Sequence, residues 1–481
     1  MKLKDVLQNV QYELLFGDIN IDITSMTIDS RTAKLNSMFI CIPGFQVDGH
    51  NFANTAHDLG STVFIVEKEI AIDATVIKVK NSREALAIIA YNFYNKPDIG
   101  LNMIGITGTN GKTSVSFYIQ SILMQYGHNT GIIGTVSTKI NDQDIDINFA
   151  TSTTPDTIEL MQIIRHMKEQ KADSLVMEVT SHGLALNKVD ALRFYVSVFT
   201  NLTQDHLDLH GTMENYRDAK AKLFTMSDIS IINIDDEYGT YMQSISTGKV
   251  ITYSIDKPSD IQAKNIKYEP TGSTFDVYAF SKIYKFNIPI PGRFSIYNAL
   301  GSIGTCLELG VPIDTIQRTL STLKTVPGRI DTVKNDKNLN IIIDYAHTPD
   351  SLKNVIQTAK EFTTGCVITV FGCGGDRDNQ KRSVMAKEAS TYGDFTIITS
   401  DNPRTEDPEI ILNQVEQGIV GQNYERILDR EQAINRAIEI MSNNDTVIIA
   451  GKGHETYQIL KDKTIDFDDK AVALEAVNRL K

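Results

Sequence analysis

The segment GTNGKT, residues 108–113, stands between an apolar run, NMIGIT (102–107), and a stretch in which Val115, Tyr118, Ile119, Ile122, Leu123 and Tyr126 recur at helical spacing. A strand that turns through glycines directly into a helix with one apolar face is a βα junction. Such a junction commits the surrounding chain to a mostly parallel sheet with helical crossovers. The same geometry suits an anion. Backbone N–H groups of the loop and the helix N-terminus favour phosphate, Lys112 adds a point charge, and Thr113 offers a hydroxyl to a magnesium ion. The segment departs from the strict G-x-x-x-x-G-K-[ST] pattern, because position 106 is Ile and the nearest glycines are Gly105 and Gly108. A chance glycine turn is the plainer alternative. The strand-to-helix context favours a nucleotide phosphate site built from Gly108, Thr109, Asn110, Gly111, Lys112, Thr113 and Ser114.

Strand-like runs continue after the junction at GIIGTV, SLVMEV, YVSVFTN and ISIIN, separated by helical stretches. Residues 260–290 read as an antiparallel excursion, and FSIYNALGSIGTCLELG returns to helix. Ahead of the junction, SMFICI, STVFIV and ATVIKV are β-type runs, and SREALAIIAYNFYN is a helix that ends before Pro97. The first residues, MKLKDVLQNVQYELLFGD, read as a short amphipathic helix whose polar interruptions leave no core for a secretion signal. Beyond VPGRID (326–331) strand and helix alternate again, with GCGGDRD, SDNPR and AGKGHE at strand ends, where open sheets of this kind bind ligands. A chain of 481 residues is too long for one core. The expected fold is α/β in three domains: an N-terminal unit over 1–98, a central doubly wound P-loop-type unit over 99–327 and a Rossmann-like unit over 328–481.

A formal net charge of −13 argues against a nucleic-acid surface, which needs clustered Lys and Arg. No apolar run is long enough for a bilayer. Cys41, Cys306, Cys366 and Cys373 lack a C-x-x-C spacing, so neither a disulfide framework nor a zinc site is indicated, and a reducing cytoplasm fits.

Glu178 closes an apolar strand in MEVTSHGL, and Asp205, His206, Asp208 and His210 follow another in FTNLTQDHLDLHG. In a doubly wound sheet both ends face the phosphate loop, so hard oxygen ligands beside phosphates point to Mg²⁺. Zinc held by His206 and His210 is the rival metal reading. Lys220 and Lys222 both lie in ENYRDAKAKLF, and neither spacing nor composition separates them.

TGTNGKT, TTPD, EVTSHGL, FTNLTQDHLDLHG with MENYRDAKAKLF, PGRFSIYNAL, VPGRID, DYAHTPDSL, GCGGDRD, DNPR and GKGHE, in this order, closely resemble the Mur ligase family. Within it they resemble the branch that adds the third amino acid of the bacterial peptidoglycan stem. MTIDSR and PGFQVDGHNF extend the resemblance over nearly the whole chain. It implies an N-terminal uridine-nucleotide domain, a central ATPase-type domain and a C-terminal domain for the incoming amino acid. By the same resemblance Ser30, Phe45, Gln46 and Val47 contact the uridine end of the substrate. Ser152, Thr153, Thr154, Thr180 and Lys188 line the path of its pyrophosphate and peptide. Leu186 and Lys188 stand where relatives often carry Gln and Arg, which implies a point-charge contact rather than a bidentate one. Lys220 matches the lysine that reacts with carbon dioxide to become a carbamate, an anionic ligand for a second Mg²⁺, and Lys222 is then surface. Thr113, Glu178 and His206 match the other metal ligands. Asn298 and His347 match the adenine side of ATP, Asp344 the ribose side and Arg329 the phosphate side.

The implied reaction is ATP-dependent amide synthesis on UDP-N-acetylmuramoyl-L-alanyl-D-glutamate through an acyl phosphate, with domain closure during turnover. The implied partners are small molecules, and the expected state is a monomer. The third residue is read as meso-diaminopimelate, with L-lysine as the alternative. Arg404 and Arg377 can bind the far carboxylate of diaminopimelate, with Asp401 and Glu455 as ammonium partners, Asp401 and Asn402 positioning the same end, Gly451 in the same site and Pro403 stiffening the tip. As a solvated loop arginine, Arg404 would instead pair with Glu406 or Asp407. A folylpolyglutamate synthase-like ligase and a nucleotide-gated binding protein are the other functional readings.

Overall fold

The computed structural model describes residues 1–44, 47–145, 153–269 and 271–480, except for the side chain of Asp208. Phe45, Gln46 and Ser152 lie outside the described residues. The chain is α/β, built on three large sheets.

The first sheet runs, edge to edge, Tyr12–Phe16, Thr75–Val79, Ser61–Val66, Ser37–Ile40, Ser25–Thr27. The N-terminal segment differs from the expected helix. Only Leu3–Val6 is helical, and Tyr12–Phe16 is an edge strand paired antiparallel to Thr75–Val79. The backbone turns left-handed at Asn9 (φ 65°), which ends the helix. Asn92 Nδ2 donates to the carbonyls of Val6 (2.9 Å) and Gln8 (2.8 Å), satisfying acceptors that the helix end leaves open. Asn92 belongs to the helix Ser82–Phe93, whose first N–H groups are capped by the Asn81 side chain.

The central sheet has eleven strands among the described residues. Thr130–Ile133, Ser174–Glu178, Asn102–Thr107, Phe194–Phe199, Ser227–Asn233, Lys249–Ser254 and Ile261–Glu269 follow one another in parallel. Gly272–Ala279 and Lys282–Ile288 extend one edge as the expected antiparallel excursion. Alternate residues face opposite sides. Ile104, Ile106, Val176 and Val198 pack with the helices Lys112–Tyr126 and Arg293–Glu308. Met103, Leu175 and Met177 pack with the helix Thr157–Glu169 and with Ile89 and Ala90 of the N-terminal unit. This period of two, with both faces covered, is what a parallel sheet requires.

The third sheet runs Asp331–Thr332, Asn340–Asp344, Thr446–Ala450, Val367–Cys373, Phe395–Ser400, Tyr424–Arg426, with only the first pair antiparallel. Two fully buried arginines brace it. Arg430 pairs with Asp469 (2.6 Å) and donates to the carbonyls of Ala450 (3.0 Å) and Ser400 (3.4 Å), the last residues of two strands. Arg382 pairs with Glu406 (2.8 Å) and donates to the Gly374 carbonyl (3.1 Å).

Asp469→Ala leaves the Arg430 guanidinium buried without its carboxylate. It is expected to cost about 3–5 kcal/mol, read as a lowered urea midpoint. Arg31→Ala, which removes the exposed pair with Asp29, is expected to leave that midpoint in place.

Candidate active site

The phosphate loop turns at two glycines with positive φ, Gly108 (152°) and Gly111 (86°). A Cβ on Gly108 would collide with Thr200 Oγ1, and one on Gly111 would lie 2.5 Å from Asn298 Oδ1. The end of the strand Phe194–Phe199 closes on the loop from one side. Thr200 Oγ1 donates to the Asn110 carbonyl (2.6 Å), and Asn201 Oδ1 accepts from Asn110 N (2.9 Å). Lys112 Nζ donates to the carbonyls of Gly108 and Thr109, both at 2.9 Å. Thr113 and Ser114 are buried in the first turn of the helix. Thr109 Oγ1 meets the Tyr216 hydroxyl at 3.1 Å.

Tyr216 and Lys220, four apart on the helix Met213–Thr225, share its buried face, whereas Lys222 is exposed. Lys220 Nζ donates to the Gly108 carbonyl at 2.8 Å and lies 4.6 Å from the Tyr216 ring centroid. It has no carboxylate within 4.0 Å among the described residues. Burial holds its pKa well below the usual lysine value; Lys112 adds to the shift and Asp205 opposes it. Burial also lowers Lys112, with Glu178 opposing.

Glu178 is buried at the end of its strand. Its Oε2 accepts from Thr113 Oγ1 (3.0 Å) and Thr135 Oγ1 (3.2 Å), and its Oε1 from Thr135 N (2.9 Å). A Cβ on Gly134 would fill the space beside Oε1. Thr135 Oγ1 also meets Thr153 Oγ1 at 3.0 Å. Thr135 was not apparent as a site residue; its place after the glycine in IGT is its only signal. His206 has a left-handed backbone (φ 52°), a half-exposed side chain 3.3 Å from Asp205, and ring contacts with His182 and Tyr216. Among the described residues no three His, Cys, Asp or Glu side chains gather as a metal site, so His206 and His210 gain no third ligand of those types for zinc. The oxygens of Thr113 and Glu178 are of the kind Mg²⁺ takes.

Thr154 Oγ1 donates to the Glu178 carbonyl (3.0 Å) and meets Thr180 Oγ1 (2.9 Å). Lys188 Nζ reaches the Thr154 carbonyl (3.3 Å) and pairs with Asp156 (2.7 Å). Thr153, Thr154, Thr180 and Lys188 are thus one cluster beside Glu178. Ser30 is buried at the start of the turn Ser30–Thr32 and Val47 is exposed; no hydrogen bond joins either to that cluster among the described residues.

Asn298 faces Gly111 from the helix Arg293–Glu308. Asp344 is buried and accepts from Ile330 N and Ala346 N, both at 2.8 Å; burial pushes its carboxyl up, against the nearby Arg329. Arg329 lies 4.8 Å from the Tyr345 ring, which also touches the rings of His347 and His454. His347 Nδ1 lies 2.8 Å from the Tyr345 carbonyl oxygen. Asp350, at the start of the helix Pro349–Phe362, accepts from Asn110 Nδ2 (2.9 Å) and Thr203 Oγ1 (2.8 Å). It ties the C-terminal unit to the phosphate loop, and the sequence reading did not single it out.

The loops after Val367–Cys373, Phe395–Ser400 and Thr446–Ala450 form a second cluster. Glu406 is held by Arg382 and Asp407 caps the helix Pro408–Glu416, so Arg404 pairs with neither, contrary to the solvated-loop alternative. Arg404 Nη1 donates to the Gly375 carbonyl (2.8 Å). Its left-handed backbone (φ 51°) costs a non-glycine residue about 1–2 kcal/mol. Arg377 is exposed. Buried Asn402 donates from Nδ2 to Glu455 Oε2 (2.9 Å), and Asn402 N donates to Asp401 Oδ1 (2.6 Å). Pro403 is buried, and a Cβ on Gly451 would lie 2.7 Å from Asp401 Oδ2. Lys452, absent from the sequence reading, is fully buried against Asn402 and Glu455.

Three family models match the chain: "Mur ligase family, catalytic domain" over residues 22–94, "Mur ligase middle domain" over 106–306 and "Mur ligase, glutamate ligase domain" over 328–453. A UDP-N-acetylmuramoyl-L-alanyl-D-glutamate--2,6-diaminopimelate ligase from Clostridium botulinum is 44% identical, with 100% of each chain covered. A solved structure of a ligase of the same name is 28% identical, with a TM-score of 0.74 and 99% of each chain covered. The MurF ligase from Thermotoga maritima in complex with ADP has the same fold at 17% identity, with a TM-score of 0.62 over 94% of this chain and 96% of that one. The chain belongs to the Mur ligase family.

Proposed function

We propose that this chain is an ATP-dependent, ADP-forming ligase that joins meso-diaminopimelate to UDP-N-acetylmuramoyl-L-alanyl-D-glutamate in peptidoglycan precursor synthesis. The single observation that carries the mechanism is Lys220. A buried ammonium without a carboxylate partner is costly. As a neutral amine beside the phosphate loop, the same nitrogen can add to the carbon of carbon dioxide and, on releasing a proton to solvent, become an anionic carbamate whose oxygens can bind a metal ion.

In this reading residues 1–98 take the uridine nucleotide, with Ser30 and residues 45–47 at its base. Residues 99–327 take ATP, and residues 328–481 the incoming amino acid. Thr113, Glu178, His206 and carbamylated Lys220 would hold Mg²⁺, which supplies charge neutralisation for the transferring phosphoryl group. The loop N–H groups and Lys112 bind the β- and γ-phosphates. Asn298 and His347 flank the adenine, Asp344 the ribose, and Arg329 the phosphates. Thr153, Thr154, Thr180 and Lys188 hold the dipeptide end so that its carboxylate lies in line with the γ-phosphorus.

The carboxylate oxygen attacks that phosphorus, ADP leaves, and an acyl phosphate forms. The amine of diaminopimelate then attacks the acyl carbon, and the tetrahedral intermediate expels phosphate and loses a proton. The second step needs the amine within attack distance, so the C-terminal unit closes on the central one during turnover. Arg404 fits the far carboxylate, because its guanidinium is held only by backbone carbonyls among the described residues. The protein is read as a monomer working in the cytoplasm; its four cysteines are free and, among the described residues, no helix is long and apolar enough to cross a membrane.

With ATP, Mg²⁺ and the UDP-sugar dipeptide, phosphate release is expected with meso-diaminopimelate at least about tenfold above L-lysine in kcat/KM; a preference for lysine overturns the substrate assignment. Lys220→Ala is expected to lower kcat by about 100-fold or more with an unchanged melting temperature; full activity would sink the carbamate role, and ¹³C-NMR after ¹³CO₂ loading reads it directly. Arg404→Ala is expected to raise KM for diaminopimelate by about 10- to 100-fold, leaving KM for ATP unchanged.

A further inference from the structure

Lys452 is fully buried between two glycines with positive φ, Gly451 (118°) and Gly453 (57°). Its Nζ donates to Asn402 Oδ1 (3.2 Å) and Glu455 Oε2 (3.0 Å), and it lies 5.4 Å from the Tyr457 ring centroid. Asn402 Oδ1 also accepts from Ile459 N (2.9 Å). With two donors on that oxygen, the amide has one orientation, and Nδ2 must point at Glu455 Oε2, which it reaches at 2.9 Å. Glu455 Oε2 is therefore occupied by Lys452 and Asn402, and among the described residues no hydrogen bond takes Oε1.

Lys452 has no path to a ligand, so its effect is carried by charge and by the geometry of its two neighbours. Its ammonium offsets the Glu455 carboxylate, and the charges of Glu455, Arg404 and Asp401 all act on the Tyr457 hydroxyl. Lys452 and Arg404 balance Glu455 and Asp401, and the exposed Arg377 is balanced by Asp376, so the charges around this cluster sum to zero. A neutral pocket with separated charges suits a ligand end that is itself a zwitterion, the ammonium on Glu455 Oε1 and the carboxylate on Arg404. An end carrying only an ammonium gains from Glu455 but meets the Arg404 charge with nothing to offset it. Without Lys452 the pocket would hold one net negative charge, and that charge favours the bare ammonium.

We infer that Lys452 is a specificity-determining positioning residue: by neutralising Glu455 and fixing the Asn402 amide it makes the pocket select a zwitterionic distal end over a bare ammonium. The inference rests on the ligase reading above, with the distal end belonging to the incoming diamino acid.

The experiment measures kcat/KM for meso-diaminopimelate and for L-lysine in the wild type, Lys452→Met, Lys452→Arg and Glu455→Gln. A ratio taken on one preparation cancels any loss of folded protein. In Lys452→Met the diaminopimelate-to-lysine ratio is expected to fall at least about tenfold, while KM for ATP changes by less than about twofold. Lys452→Arg keeps the charge and is expected to retain the ratio within about threefold. Glu455→Gln leaves the Lys452 charge in excess, so the ratio holds or rises even as diaminopimelate activity drops; this variant decides the matter if Lys452→Met does not fold. An unchanged ratio in active Lys452→Met, or a tenfold fall in Glu455→Gln, overturns the inference while the ligase reading stands. A wild type that prefers L-lysine overturns the substrate reading beneath it.

Discussion

The Gly108 carbonyl oxygen accepts from Lys112 at 2.9 Å and from Lys220 at 2.8 Å, and the active centre is arranged around that shared acceptor. Two ammonium groups on one peptide dipole repel each other, and burial raises the cost of both charges. A site under this tension gains from whatever lowers its positive charge. Phosphates do so from outside, and conversion of one amine to an anion does so from within. The arrangement depends on glycine at 108, because any side chain there would occupy the place of Thr200, which carries the bond to the Asn110 carbonyl.

The C-terminal unit answers the same electrostatic problem differently. Its buried cations are matched in advance: Arg430 by Asp469, Arg382 by Glu406 and Lys452 by Glu455. Arg430 and Arg382 also take backbone carbonyls at the strand ends, so the ion pairs hold the loops in place. Arg404 is the exception, donating to backbone oxygens with no carboxylate partner among the described residues.

Much of this was legible in local pattern. The apolar runs NMIGIT and SLVMEV, with helical spacing after GTNGKT, placed the central sheet and its loop, and the resemblance supplied most of the site residues. The errors and omissions were long-range. The N-terminal helix is short, and Asn92, more than eighty positions away, binds the carbonyls at its end. Lys220 and Lys222 differ only in which side of one helix is buried, which nothing in ENYRDAKAKLF reveals. Thr135 and Asp350 matter through residues at least forty positions distant, and Lys452 binds Asn402, fifty positions away, as well as its neighbour Glu455. Ser152, Phe45 and Gln46 lie outside the described residues, so their part rests on resemblance alone.

Asp350 binds Asn110 of the phosphate loop and Thr203 of the neighbouring strand-end loop from the first turn of a C-terminal helix. A rotation of the C-terminal unit therefore cannot leave the nucleotide pocket undisturbed: it must either carry these two side chains along or break its hold on them. One carboxylate thus couples the position of the C-terminal unit to the shape of the loop that holds phosphate, so any shift of that helix is felt directly at Asn110.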